Sequence, residues 1–164
     1  MPLTPNVKTR TLADVIRFNE EHREQEMPYF GQELFERAEK KGPLTDGAYK
    51  KALARNLRMS RAEGIDAVIA KHKVDAIIAP TGGPVWPIDL LNGDHFTGGY
   101  STASAVSGYP HVTVPAGQVF GLPVGLSFFA GAGSEQALIR YAYAFEQATK
   151  ARRKPEFLGT VAVG

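Results

Sequence analysis

Apolar positions along this chain keep two rhythms, one of helices and one of strands. From Thr11 the stretch T-L-A-D opens like a capping box, with Asp14 where Glu is usual. Leu12, Val15, Ile16 and Asn19 follow at helical spacing, which predicts a helix ending in the charged stretch near residues 21–24. Pro28-Tyr29-Phe30-Gly31 reads as a loop whose two aromatics should be buried. Residues 32–40 predict a short helix with Leu34, Phe35 and Ala38 on one side, stopped by Gly42-Pro43. Thr45-Asp46 opens the longest expected helix. Tyr49, Leu53, Leu57, Ile65, Val68 and Ile69 form its apolar stripe, which Arg61 interrupts, opposite Lys50, Lys51, Arg55, Arg58 and Glu63. Gly64 inside it costs about 1 kcal/mol relative to Ala, and marks a bend or a close packing contact.

The rhythm changes after His72-Lys73. V-D-A-I-I-A from Val74 and V-G-L-S-F-F-A from Val124 are short, nearly continuous apolar runs bounded by Pro and Gly, with V-T-V between them. They predict strands of a buried sheet. A short helix is expected near residues 102–107, and Gly133-Ser134-Glu135 starts a last helix. Its buried stripe should be Ala137, Leu138, Tyr141, Ala142, Phe145 and Ala148. The fold class implied is α/β or α+β, a sheet packed by helices. Three strands are few for so many helices, so the sheet should be completed from outside this chain.

Composition narrows the function classes. The 164 residues, 43% hydrophobic and 22% charged, suit one globular domain. A net charge of +2 implies neither nucleic acid nor a membrane surface as partner. Without cysteine there are no disulfides and no thiolate metal site, which fits a cytoplasmic protein. The first ten residues, MPLTPNVKTR, lack the apolar core of a signal peptide and read as an extended arm. No apolar run approaches the roughly 20 residues that span a bilayer.

The loop between the first two strands is the place to look for a site, being rich in Gly and Pro with one Trp and two Asp. Gly99-Tyr100-Ser101-Thr102-Ala103 nearly matches a nucleophile elbow but has Ala for the second Gly. It reads better as the Ser/Thr-rich start of the short helix. Gly82-Gly83 precedes Pro84 rather than Lys-Ser, so it is not a phosphate loop. His22, His72, His95 and His111 include no zincin-type pair. His22 and His72 sit at charged helix ends, and His111 starts a strand as a partly buried, hydrogen-bonded residue. Asp94-His95 could be an acid–base pair, although adjacent side chains rarely point the same way. Asn92-Gly93 is a turn signal and Asp89 a cap candidate. Trp86 either walls an apolar substrate pocket or plugs the end of the sheet.

Longer segments add a resemblance. T-L-A-D-V-I-R-F-N-E-E-H, Y-F-G-Q-E-L-F-E-R-A, K-V-D-A-I-I-A-P-T-G-G-P-V-W-P and S-G-Y-P-H-V-T-V-P, followed by G-L-P-V-G-L-S-F, resemble in order the C-terminal part of an amidase-signature enzyme. The branch is that of peptide amidases and related bacterial amidases, and the likeness runs from about Thr11 to about Phe157. It implies part of a mixed β-sheet covered by helices, with residues 1–10 an arm, 11–157 a single amidase-like region and 158–164 a loose tail. It implies hydrolysis of carboxamide C–N bonds by a Ser activated through a second Ser and a Lys, without cofactor or metal. That Lys and the Gly/Ser-rich signature lie upstream of the matched region, so no catalytic residue carries over. Thr81, Trp86, Tyr100, Ser101 and Thr102 carry over as substrate-pocket positions. The implied partners are the N-terminal catalytic part or a second copy, and a small amide substrate. A standalone binding or assembly module descended from an amidase is the other reading. A self-sufficient hydrolase using Ser101 with His95 or His111 is a third.

Overall fold

The computed structural model describes residues 7–155. Of the expected N-terminal arm only residues 7–10 fall in that range, and they carry no regular structure. The expected tail over 158–164 lies outside the described residues. The region read as one over 11–157 divides into two compact units, one up to Lys50 and one from Lys51.

The first unit holds α1 (Leu12–Glu21), α2 (Arg23–Glu26) and α3 (Glu33–Glu39). The capping box at Thr11 forms as its residues require. The Asp14 backbone N–H donates to Thr11 Oγ1 at 3.1 Å, and the Thr11 backbone N–H returns a 3.1 Å bond to Asp14 Oδ2. Leu12, Val15, Ile16 and Asn19 are each half-buried, on one side of α1. Gln32 is buried and ties α1 to the start of α3. Its amide nitrogen donates to the Ile16 carbonyl at 3.1 Å, and its oxygen accepts from Asn19 Nδ2 at 3.1 Å. Tyr29 and Phe30, expected to be buried, are 67% and 78% exposed, and Leu34 and Phe35 of α3 are exposed as well. Three short helices have too little apolar surface to cover them.

The expected long helix is broken. It consists of α4 (Gly47–Ser60), which crosses the division between the units, a π-helical turn over Arg61–Ile65, and α5 (Asp66–His72). Gly64 is the break, at φ −113° and ψ −106°. A Cβ there would lie 2.5 Å from the Met59 carbonyl oxygen, so a side chain requires the backbone to shift. The extra residue of the π turn re-aims the side chains after it. Ile65 and Ile69 face the sheet, whereas Val68 is exposed, as are Tyr49 and Leu53 before the break.

The second unit is built on three antiparallel strands, β1 (Ile77–Pro80), β2 (His111–Val119) and β3 (Leu122–Phe129), in the order β1-β3-β2. β2 and β3 form a hairpin whose turn residues, Phe120 and Gly121, both have positive φ, which suits the right-handed twist of the strands. A bulge between Pro115 and Gly117 shifts the register once. One face packs on α7 (Glu135–Thr149): Leu138, with no exposed surface, and Ala142 meet Val114, Phe128 and Ala130. Tyr141 and Phe145 join this core at its edge, but Ala148 of the expected stripe is exposed. The other face packs Ala79 and Phe129 against Ile65, with Ile69, Ile77 and Tyr109 at the margin. β3 is therefore covered on both faces. β1 is not: Ile78, in register with Phe128, is 61% exposed, because the edge strand lies beyond the helix that covers Phe128.

α6 (Ser101–Ser107) ends at Gly108, at φ 71°, and is fastened to the π turn. Arg61 Nε donates to the Ser107 carbonyl at 2.7 Å, and its guanidinium lies over the Tyr109 ring. The Tyr109 hydroxyl donates to Asp66 Oδ2 at 2.9 Å. That bond, with partial desolvation, raises the Tyr109 pKa, against the pull of Arg61. The interruption of the apolar stripe at Arg61 is thus a joint between helices.

Gly64→Ala should destabilise the chain by about 1–3 kcal/mol in chemical denaturation, since the methyl must displace backbone; an unchanged midpoint would contradict the break at Gly64. A second expectation concerns acid. The Arg10 and Thr11 N–H groups lower the Asp14 pKa from 3.8 to about 2. A depressed carboxylate stabilises above its unfolded pKa, and that contribution is lost as pH falls through the folded value. The helical signal of a peptide spanning residues 7–40 should accordingly decline between roughly pH 4 and 2, and Asp14→Asn should flatten the decline.

Candidate functional site

Between β1 and α6 the chain leaves the sheet and returns, over residues 81–100. The neck of this loop is closed by backbone. The Thr81 N–H donates to the Gly125 carbonyl at 2.8 Å, the Tyr100 N–H donates to the Thr81 carbonyl at 3.2 Å, and Gly82 bridges Gly99. The two arms of the neck approach closely at its glycines. A Cβ at Gly83 would overlap Thr97 Oγ1, and one at Gly99 would sit 3.1 Å from the Thr81 carbonyl oxygen.

Further out, Asp89 organises a turn. Its Oδ1 accepts from the backbone N–H groups of Leu91 and Asn92, each at 2.9 Å, and its Oδ2 accepts from Asn92 Nδ2 at 2.8 Å. Those donors, Asn92 first, lower the Asp89 pKa. Gly93 completes the turn at φ 79°. Asp89 therefore acts as a cap of this turn. Asp94 does not pair with His95; its Oδ1 accepts from Trp86 Nε1 at 3.3 Å. Phe96 meets the indole edge-on, with ring centroids 6.1 Å apart. Trp86 is half-buried within the loop.

An open cavity of about 460 Å³ lies at the neck, lined by Pro80, Gly82, Gly83, Thr97, Gly98, Gly99 and Tyr100. Of the five sequence-derived positions, Tyr100 lines it directly and is 54% exposed. Ser101 and Thr102 follow as the exposed first residues of α6. Thr81 belongs to the neck, and its hydroxyl turns to the sheet. Trp86 stands away from the lining, among Asp94 and Phe96.

Beneath the neck lies a polar cluster that sequence reasoning missed. Ser127 Oγ, on the central strand, is within 2.8 Å of Thr81 Oγ1, 3.2 Å of Thr113 Oγ1 and 2.7 Å of His111 Nε2. The other imidazole nitrogen, Nδ1, lies 3.3 Å from Ser104 Oγ on α6. The ring stacks on Phe129. His111 and Thr113 share a face because they are two apart on a strand, and H-V-T-V carries that signal in its alternation. Ser127 lies in the same row of the sheet, paired with Ala79 and Thr113. Gly125 makes the room: a Cβ there would be 2.7 Å from Thr81 Oγ1 and 2.9 Å from Thr113 Cγ2.

A Ser–His contact of 2.7 Å has the reach of a nucleophile and its base. Here it has neither access nor an orienting acid. Ser127 and Ser104 are buried, and a hydroxyl occupies the place where a carboxylate would orient the imidazole. The exposed Ser101 is not a partner of His111, whose two nitrogens are taken by Ser104 and Ser127. Among the described residues no cluster of three or more His, Asp or Glu could hold a metal ion, and no helix is long and apolar enough to cross a membrane.

Comparison with known proteins places this geometry. No protein-family model matches the chain. A probable amidase of Arabidopsis thaliana is 40% identical over 151 residues, 91% of this chain and 26% of the relative. A solved peptide amidase, bound to the competitive inhibitor chymostatin, superposes with a TM-score of 0.88 at 50% identity, over 92% of this chain and 31% of that one. The native peptide amidase of Stenotrophomonas maltophilia gives 0.84 at 48% identity, over 92% and 30%. The chain thus spans about a quarter of the length of the curated relatives it matches. Its order of helices, strands and loop belongs to the amidase-signature family, of whose fold it is a C-terminal portion.

Proposed function

We propose that this chain serves as the C-terminal part of an amidase hydrolysing carboxamide C–N bonds, completing the sheet and walling the substrate pocket. The Ser-Ser-Lys set that performs the chemistry is carried outside these 164 residues. The observation that bears most weight is the loop over 81–100. It is closed at its neck by backbone bonds, opens a cavity beside Tyr100, and leads directly into the exposed Ser101 and Thr102. Such a loop shapes a substrate without supplying a nucleophile. The burial of Ser127 argues the same way, since substrate cannot reach its hydroxyl. Trp86, Tyr100, Ser101 and Thr102 are the side chains proposed to meet substrate, and Thr81 to hold the neck on which they depend.

The partner in this reading is the catalytic part of the enzyme. The exposed Ile78 on β1, and the unpaired outer edge of that strand among the described residues, support an extension of the sheet there.

The chain alone should not release ammonia from a C-terminally amidated peptide, nor p-nitroaniline from an anilide. Mixed or co-expressed with an amidase portion that bears the Lys and both Ser, it should restore turnover. In that reconstituted enzyme Tyr100→Ala should raise KM by roughly ten- to a hundredfold, the scale of losing an apolar pocket wall, with little change in kcat. Turnover by the purified chain alone, abolished by Ser101→Ala, would overturn the assignment.

A further inference from the structure

The loop over 81–100 enters from β1 and exits into α6, and both ends are hydrogen-bonded into one partly buried polar chain. At the entry, Thr81 Oγ1 is 2.8 Å from Ser127 Oγ. At the exit, Ser104 of α6 is joined through His111 to the same Ser127 oxygen, at 3.3 Å and 2.7 Å. We propose that Ser127 is a positioning residue for the neck of this loop, setting the spacing of its two ends through Thr81 and the His111–Ser104 pair. The effect on substrate rests on the pocket reading above; the effect on the loop does not.

Ser127 has no exposed surface and stands on the central strand beside Phe128 and Phe129. A hydroxyl there loses its water, and that loss is offset only by good partners. It has three, contributed by all of the elements that meet at the neck: the residue after β1, β2, and α6 by way of the imidazole. The arrangement can be fully satisfied. With His111 protonated at Nδ1, that N–H donates to Ser104 Oγ, and Nε2 accepts the Ser127 proton. Ser127 Oγ then accepts from Thr81 and Thr113. The opposite tautomer reverses the chain, with Ser104 donating to Nδ1, Nε2 donating to Ser127, and Ser127 donating to Thr81. Either direction keeps Thr81 and Ser104 engaged at once, and no buried side-chain polar atom among the described residues lacks a partner. An apolar residue at 127 would leave the imidazole nitrogen and two threonine hydroxyls without their common partner.

The backbone bonds of the neck make the proposal measurable. The Tyr100 N–H bonds the Thr81 carbonyl, so its hydrogen exchange reports whether the neck is closed. In the full chain, Ser127→Ala and Thr81→Val should each speed exchange at Tyr100 by roughly five- to tenfold, the scale of one lost hydrogen bond. Amides of the β2–β3 hairpin beyond the bulge should keep their protection. Acrylamide quenching of Trp86, the single Trp, should rise with both variants. Thr81→Ser, which restores the hydroxyl, should return Tyr100 to its original exchange rate. In Ser127→Ala the His111 nitrogen resonances should shift as Nε2 loses its partner. Should Ser127→Ala fail to fold, Thr81→Val decides alone, since Thr81 lies outside the core. Unchanged Tyr100 exchange in Thr81→Val, or a loss of protection spread evenly over the sheet, would overturn the proposal. Because these measurements need no substrate, they stand or fall separately from reconstituted turnover.

Discussion

Three consecutive side chains of β3, Ser127, Phe128 and Phe129, close both faces of the sheet at once. In a strand, neighbours point to opposite sides, so each buried residue in such a run commits the sheet to cover on that side. Phe128 commits it to α7 through Leu138 and Ala142. Phe129 commits it to the π turn through Ile65. Ser127 shares the second face but brings a hydroxyl, and so draws polar partners into an otherwise apolar layer. The location of the polar cluster, and with it the neck of the loop, follows from this one departure from apolar character.

The second unit has another joint, on the helical layer. The π turn places Arg61 where it can reach the last carbonyl of α6, and Tyr109 and Asp66 extend that contact. A regular helix through Gly64 would turn Arg61 by about 100° relative to Ile65 and Asp66, because one added residue rotates the side chains that follow it by that much. The short helix α6 is thereby held at its last residue, by Arg61 at Ser107, and at its middle, by His111 at Ser104. Seven residues make a marginal helix in isolation, so its position depends on these contacts more than on its own propensity.

Much of the fold is legible in the order of residues alone. The capping box at Thr11, the short helix after Tyr100, the three strands and the start of the last helix follow from spacing and breakers. Exposure is less legible. Tyr29, Phe30 and Ile78 are apolar by type, and apolar type alone does not say whether a neighbour exists to cover it. The break at Gly64 can be placed in the sequence, but its form depends on how close the Met59 carbonyl comes. Of the site, the loop and Tyr100 can be read from composition and resemblance. The Thr81–Ser127–His111–Ser104 cluster cannot, because its members are up to 46 positions apart and meet only through strand register. The alternation of His111 and Thr113 is the one local hint of it.

Gly125 has a bearing on how such sequences diverge. Its missing side chain is the space into which Thr81, just after β1, and Thr113, on β2, lean, so three positions far apart in sequence share a single volume. A lineage cannot enlarge residue 125 alone. It must first accept smaller or differently shaped neighbours on β2 and just after β1, and those neighbours carry the hydroxyls that meet Ser127. Drift at any one of the three is therefore constrained by the other two, and the set should change together or stay fixed over long divergence.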